Sequence, residues 1–200
     1  EIVIDALRRA KVSRGVFIGT TAMLTRLPVR SKPIRERAEA LVRDNALDWT
    51  ILGPTMIYGT PDDRNIARLI RFVMRSPVIP VPAAAALQQP VHVAEVAHAV
   101  SQALASSGTA GLAYNIARAT PLALRDLVQE VVDALDVKRL IVPMPAAAAR
   151  VAVQLYAACV RNPRIKLEQI HRLEEDKSFD YSAAARGFGY RPRTFREGVR

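Results

Sequence analysis

Apolar residues in this chain come in two patterns that alternate along its length: short near-continuous runs, and stripes at helical spacing. Glu1–Ala10 reads as the end of a helix, and Val12–Ile18, "VSRGVFI", as a strand that turns apolar toward its C-terminal end. A helix is predicted over 35–45, where Ala38, Leu41 and Val42 are spaced i, i+3, i+4. "LDWTIL", Leu47–Leu52, is the next buried strand. A third amphipathic helix covers Asp63–Met74, with Ile66, Leu69, Ile70 and Val73 on one face and Asp62 and Asp63 as capping residues. Pro77–Pro82 is an extended connection, and Leu87–Val93 a short strand. A helix from about Ala94 to Ala105 follows, with Val93, Val96, Ala97, Val100 and Leu104 inward and Glu95 in a first turn where the helix dipole favours an acid. Leu112–Ala117 is another strand. Pro121 stands where a helix can start, ahead of the stripe Leu124, Leu127, Val128, Val131, Leu135. Ala146–Val160 and Glu168–Glu175 complete the helices, and the tail is turn-rich. Apolar strands alternating with helices predict an α/β fold with a parallel sheet covered on both faces, its three strands centred near 14–19, 48–53 and 112–117.

Composition narrows the picture. The 200 residues are 50% hydrophobic and 24% charged, as in a folded globular chain. The single cysteine, Cys159, forms no internal disulfide and reads as a small buried hydrophobe, which suits a reducing cytoplasm. The stretches 76–94 and 96–117 lack the continuous apolar length of a membrane span, so none is predicted. The net charge is +10, but lysines and arginines are scattered and no basic-aromatic motif accompanies them. A solvated basic surface is the reading, with nucleic acid unlikely as a partner. His98 and His171 have no neighbours at metal-ligand spacing, and no metal site is assigned.

A nucleotide-binding α/β domain holds its ligand with Gly-x-Gly-x-x-Gly after the first strand, where glycines allow the tight turn and the approach to pyrophosphate. Gly108 and Gly111 have the wrong partners, and Gly187 and Gly189 are followed by Pro192. The fingerprint is absent from this chain. The expectation is a partial Rossmann-like parallel sheet without its N-terminal glycine-loop strands, residues 1–120 with an inserted substrate-side segment, and a small, mostly helical subdomain over 121–200.

Several stretches resemble the extended and atypical short-chain dehydrogenase/reductase superfamily, and more narrowly NAD-dependent epimerase/dehydratase proteins and the related accessory subunit of respiratory complex I. These are "VFIGTTA", "LDWTILGPTMIYG", "QPVHVAEVAHAV", "AYNIA", "PLALRDLVQEV" and "GFGYRPRTFREGV", in order along nearly the whole chain. The resemblance aligns the chain with the C-terminal two-thirds of such a protein. It implies a truncated form, with about 100 residues bearing the glycine loop before Glu1.

The resemblance also assigns roles. Catalysis in the superfamily uses a Ser/Thr and a Tyr-x-x-x-Lys pair, whose phenol exchanges a proton near neutral pH. Thr21 falls at the Ser/Thr position, to orient a carbonyl or a nicotinamide amide, or to close the strand-end turn. Ser31 and Arg35 fall at the Tyr and Lys positions, and Lys32 is out of register, so the acid/base pair is missing. Thr20, Thr21, Arg35, Pro54, Thr55 and Tyr58 are the implied cofactor contacts, and Met56, Gln89 and His92 lie on the substrate side. Relatives often carry Arg where Gly53 stands, and a glycine-rich turn in place of Ala83–Ala86. The implied cofactor is NAD or NADP in a full-length form, with none bound by this chain alone. The implied partner is a small or nucleotide-linked substrate. An oxidoreductase or epimerase and a non-catalytic cofactor-binding accessory or assembly subunit both stay open.

Overall fold

A computed structural model describes residues 2–28, 30–161 and 167–199. The elements, in chain order, are α1 (Ile2–Arg9), β1 (Arg14–Ile18), a 3-10 turn (Thr21–Leu24), α2 (Lys32–Arg43), β2 (Asp48–Pro54), β3 (Ile57–Tyr58), α3 (Ile66–Arg75), β4 (Val78–Pro82), β5 (Leu87–Gln88), β6 (Val91–His92), α4 (Val93–Ala105), a second 3-10 turn (Ser107–Thr109), β7 (Leu112–Ile116), β8 (Leu122–Ala123), α5 (Leu124–Ala134), β9 (Leu140–Met144), α6 (Ala146–Cys159), α7 (Leu167–Glu174), α8 (Ser182–Phe188) and α9 (Phe195–Val199). The helix expected at the start is present from Ile2; Glu1 lies outside the described residues.

The chain forms two compact units, each assembled from separated segments. The first comprises Glu1–Tyr58, Pro90–Ala119 and Phe179–Thr194; the second comprises Gly59–Gln89, Thr120–Ser178 and Phe195–Arg200.

In the first unit β1, β2 and β7 make a parallel sheet in that order, with Phe17 opposite Ile51 and Leu52 opposite Tyr114. These are the three strands the apolar runs predicted. Alternation sends Leu52, Tyr114 and Ile116 to one face, where they pack with Val96, Ala99 and Ala103 of α4, Ala184 of α8, and Tyr190. On the other face the Arg43 guanidinium of α2 lies 5.1 Å from the Trp49 ring centroid. Arg14 pins the N-terminal strand ends: its guanidinium donates to the carbonyls of Asp48 (2.7 Å) and Ala103 (2.8 Å) and to Thr109 Oγ1 (2.5 Å). Two glycines shape the return of the tail. A Cβ on Gly187 would lie 2.7 Å from the Tyr114 hydroxyl, so only glycine lets α8 sit this close to β7. Gly189, at φ 75°, ends α8 in the left-handed conformation.

The stripe on α4 differs from the expectation. Ala97 and Leu104 face outward, and Val96, Ala99 and Ala103 are buried, because the sheet meets the face that the small alanines leave open. The helix is fixed at its start by reciprocal capping. His92 Nδ1 accepts from the Ala94 N–H (3.2 Å), and Glu95 Oε2 accepts from the His92 N–H (3.0 Å).

The second unit has no comparable sheet among the described residues. β4 pairs in parallel with β9, and β5 pairs antiparallel with β8. The proline-punctuated segment thus forms a strand, and its partner Leu140–Met144 was not foreseen. Asp63 caps α3, its carboxylate accepting from the N–H groups of Ile66 (3.0 Å) and Ala67 (2.7 Å). The helix after Pro121 begins three residues late, at Leu124, because Leu122 and Ala123 first pair with β5. Its stripe buries Leu124, Leu127, Val128, Val131 and Val132. Cys159 is exposed, contrary to the expected buried hydrophobe. It lies on the outer side of α6, where Val151 and Leu155 are also exposed and only Ala149 is buried.

Candidate functional site

A parallel sheet brings its strand C-termini to one edge, and that edge carries most of the residues singled out from the sequence. The Gly19 N–H at the exit of β1 donates to the Leu52 carbonyl of β2 at 2.8 Å, which carries the ladder one step beyond the strand. Thr20 then caps the 3-10 turn, its hydroxyl accepting from the Ala22 N–H at 3.1 Å. Thr21, 7% exposed, donates its hydroxyl hydrogen to the Pro54 carbonyl at 3.3 Å. The Thr55 N–H donates to the Ile116 carbonyl at 3.0 Å, tying β2's exit to that of β7.

Gly53 sits in the middle of this edge. A Cβ there would lie 3.8 Å from the Thr20 carbonyl carbon and 3.8 Å from Asn115 Oδ1. An added methyl would meet only ordinary contacts, so glycine here leaves the backbone open without being demanded by sterics. Asn115 was not foreseen. It is a polar residue near the end of an otherwise apolar strand, a signal the sequence does hold. Its amide donates to the Asp180 carbonyl at 3.2 Å and faces Gly53 in register.

Past Pro54 the chain turns into β3, which pairs with β6 so that Tyr58 is opposite His92. The Val91 N–H donates to the Met56 carbonyl at 3.0 Å. Tyr58, 4% exposed, meets the His92 ring edge-to-face with centroids 5.2 Å apart. His92 has one ring nitrogen committed to the α4 cap, which leaves Nε2 to carry the hydrogen. Glu95 also accepts from the Arg193 N–H and so fastens the tail to the start of α4.

The structure therefore joins Thr21 to Pro54 directly, joins Tyr58 to His92 directly, and keeps Thr20, Thr55 and Met56 in the same strand-exit segments. Thr55 is buried and Met56 half-buried. Arg35 stands apart: it is exposed on α2, with no side-chain hydrogen bond or ion pair among the described residues. Ser31 precedes α2 without capping it, and Lys32 donates to the Thr25 carbonyl at 3.0 Å. Gln89, 3% exposed, belongs to the second unit. Among the described residues no group of His, Cys, Asp and Glu could hold a metal ion, and no helix is long and apolar enough to cross a membrane.

No family model and no curated protein matches the chain. Solved structures do. RMD from Pseudomonas aeruginosa, complexed with NADPH, aligns with a TM-score of 0.72 at 14% identity, over 99% of this chain and 68% of its own. UDP-glucose 4-epimerase from Thermotoga maritima, with UDP-glucose, gives 0.72 at 15% identity, over 99% of this chain and 64% of that one. A double mutant of DesIV, the dTDP-glucose 4,6-dehydratase from Streptomyces venezuelae, gives 0.66 at 19%, over 98% and 60%. A further neighbour, a putative epimerase from Burkholderia cenocepacia, is covered over 61% of its length. The chain thus spans about three-fifths to two-thirds of these proteins, and over that span it has the Rossmann-like α/β fold of nucleotide-sugar epimerase and dehydratase structures, as the sequence resemblance to extended short-chain dehydrogenases/reductases implied.

Proposed function

We propose that this chain supplies the nicotinamide- and substrate-facing part of an NAD(P)-binding protein of the epimerase/dehydratase group, acting on or sensing a small or nucleotide-linked substrate. The observation that carries the reading is the strand-exit edge itself, where the Thr21 hydroxyl bonds the Pro54 carbonyl across the exits of two neighbouring parallel strands, beside the Gly19–Leu52 backbone bond that extends their ladder. The residues fit a nicotinamide end. The Thr21 hydroxyl spends its hydrogen on Pro54 and keeps acceptor capacity for a carboxamide N–H. Gly53 leaves its strand exit without a side chain. Arg35, on α2 and apart from this edge, has an exposed guanidinium with which it would reach a ribose or phosphate oxygen only beyond the nicotinamide end. A bound dinucleotide would supply hydride-transfer chemistry. The chain's own residues bind and orient at this edge.

They do not supply the usual proton relay. Ser31 is no phenol, and the Lys32 ammonium is engaged with the Thr25 carbonyl. Tyr58 is buried against His92. This favours a second reading alongside the first, a non-catalytic cofactor-binding accessory subunit.

Calorimetric titration with NAD(H) and NADP(H) tests the assignment. Without a glycine loop the chain offers no helix N-terminus to the pyrophosphate in the usual place. The 200-residue chain should bind weakly or not at all, and a chain extended with glycine-loop strands at its N-terminus should bind at micromolar concentration. Micromolar binding by the 200-residue chain would show that the cofactor site is misplaced. Hydride transfer by the extended chain would decide for an enzyme, and tight binding without turnover for an accessory role.

A further inference from the structure

Part of the charge that looks scattered in the sequence is aligned on one helix of the second unit. α3 reads IARLIRFVMR and contains no acid. Ile66 and Val73 are its buried residues, 3% and 0% exposed, and lie on one face at i, i+7. Arg68, Arg71 and Arg75 lie at i, i+3, i+7 on the opposite face, and Arg64 comes one turn earlier, just before the helix. All four arginines are exposed. Arg71 donates to the Pro61 carbonyl at 3.1 Å. Among the described residues none of the four pairs with a carboxylate. Cations aligned in this way, without ion-pair partners among the described residues, create a positive surface along the helix.

Exposed apolar residues adjoin this stripe. Phe72 and Met74, 43% and 53% exposed, lie on either shoulder of it. At the C-terminal end of α3 the chain passes into β4, where Val78 is opposite Leu140 and Pro80 opposite Val142 on β9. These four side chains share one face of the ladder, and Val78, Leu140 and Val142 are 45%, 62% and 38% exposed. Arg139 ties this ladder to the helix, its guanidinium donating to the Val73 carbonyl at 2.7 Å. Exposed apolar side chains on a basic helix and on the ladder that continues from it are the pattern of an interaction surface.

We infer that this face of the second unit docks on an anionic lipid surface. Lipid headgroups carry the negative charge that the arginines lack, and acyl carbon lies just beneath for Phe72, Met74, Val78 and Leu140 to reach. A nucleic acid would meet the arginines but offers nothing to Phe72 and Met74 beside them, or to the exposed aliphatic side chains of the ladder that follows the helix. The inference is independent of the cofactor site, which lies in the first unit.

The test is co-flotation of the 200-residue chain with vesicles of phosphatidylcholine, with and without phosphatidylserine. Binding is expected only with phosphatidylserine and should weaken as salt rises to about 0.5 M. At about 1 kcal/mol for each basic residue at the surface, replacing Arg68, Arg71 and Arg75 by Gln should lower partitioning about 100-fold. Met74→Ser with Leu140→Ser, both at exposed positions, should lower it about tenfold. Melting curves check that each variant is folded, and the lipid and salt comparison needs no variant at all. Equal partitioning onto neutral vesicles overturns the inference, as does no loss in the arginine variant. Tighter binding to duplex DNA or single-stranded RNA than to vesicles, with no effect of the serine substitutions, reassigns the surface to nucleic acid. Dimerisation that Leu140→Ser abolishes, without vesicle binding, reassigns it to a second copy of the chain.

Discussion

Two parallel ladders in this molecule both contain apolar runs and differ in how far they are covered. β2, DWTILGP, lies inside the three-stranded sheet, and Thr50, Ile51 and Leu52 are at most 4% exposed. β9, LIVPM, pairs with β4 alone, and Leu140 is 62% exposed. An apolar run therefore occurs in covered and uncovered strands alike, and does not by itself report that a strand is covered. Covering needs a strand on each side and helices above and below, which the first unit supplies to β2 and the second does not supply to β9. A two-stranded ladder has too little surface of its own to be buried by its neighbours on both faces.

The sharpest way to break this comparison is to truncate one leucine in each ladder. Leu52→Ala removes a fully buried side chain from the middle of the core and should cost about 2–5 kcal/mol. Leu140→Ala should change stability by about 0.5 kcal/mol or less. Urea denaturation of both variants reads the difference, and equal losses would mean that Leu140 is covered in solution.

Gly187→Ala probes how closely the tail is packed on the first unit. The added methyl would overlap the Tyr114 ring and hydroxyl, with contacts of 2.7–3.0 Å. Overpacking of this kind costs about 1–3 kcal/mol. A thermal melt unchanged by the substitution would show that α8 does not rest on β7 as described. The smaller companion is Glu95→Ala, which removes the acceptor for the His92 and Arg193 N–H groups together. It should cost about 1–2 kcal/mol, with faster amide exchange at those two residues as its signature.

These elements also show what could be read in advance. The three sheet strands were legible because each is a β-rich run followed by a turn, and the strand-exit candidates followed from their position just after those runs. The place of Glu95 in the first helical turn was legible from the preference of an acid for the helix dipole; its bond to the His92 N–H was not. The partner of β4 was not. Pro77, Pro80 and Pro82 suppress a strand reading, yet a two-stranded ladder leaves each strand an open edge where the missing N–H matters little. Nor was the joining of Phe179–Thr194 to the first unit, because it depends on Tyr190 reaching the Ala117 carbonyl across 73 residues of sequence. For Cys159 the usual behaviour of a free cysteine as a small hydrophobe suggested burial, but the side of α6 it shares with Val151 and Leu155 is exposed.

The last comparison sets Tyr190 of the first unit against Lys177 of the second, since burial shifts both in ways that make stability respond to pH with opposite sign. Burial, the nearby Glu95 carboxylate and Tyr181 together raise the Tyr190 phenol well above its ordinary value of 10.0. Burial raises Tyr114 as well, against a smaller opposing pull from Arg14. Above pH 10 the unfolded chain gives up these protons while the folded chain keeps them. The stability they contribute is therefore complete below about pH 10 and lost as pH rises toward the folded values, at up to about 1.4 kcal/mol per pH unit for each proton. For Lys177, burial is the largest cause and lowers the ammonium below 10.5. Between its folded value and 10.5 the unfolded chain holds the extra proton, so this group makes stability rise with pH before the tyrosines make it fall. Tyr190→Phe removes the hydrogen bond to the Ala117 carbonyl, 3.1 Å long, and should cost about 1 kcal/mol at pH 7. The same variant should lose one proton's share of the decline above pH 10. Lys177→Gln should flatten the rise below it and leave the decline intact. Urea midpoints from pH 7 to about 11.5 separate the two, and a Tyr190→Phe curve parallel to that of the parent protein would show that the phenol is not buried as the structure has it.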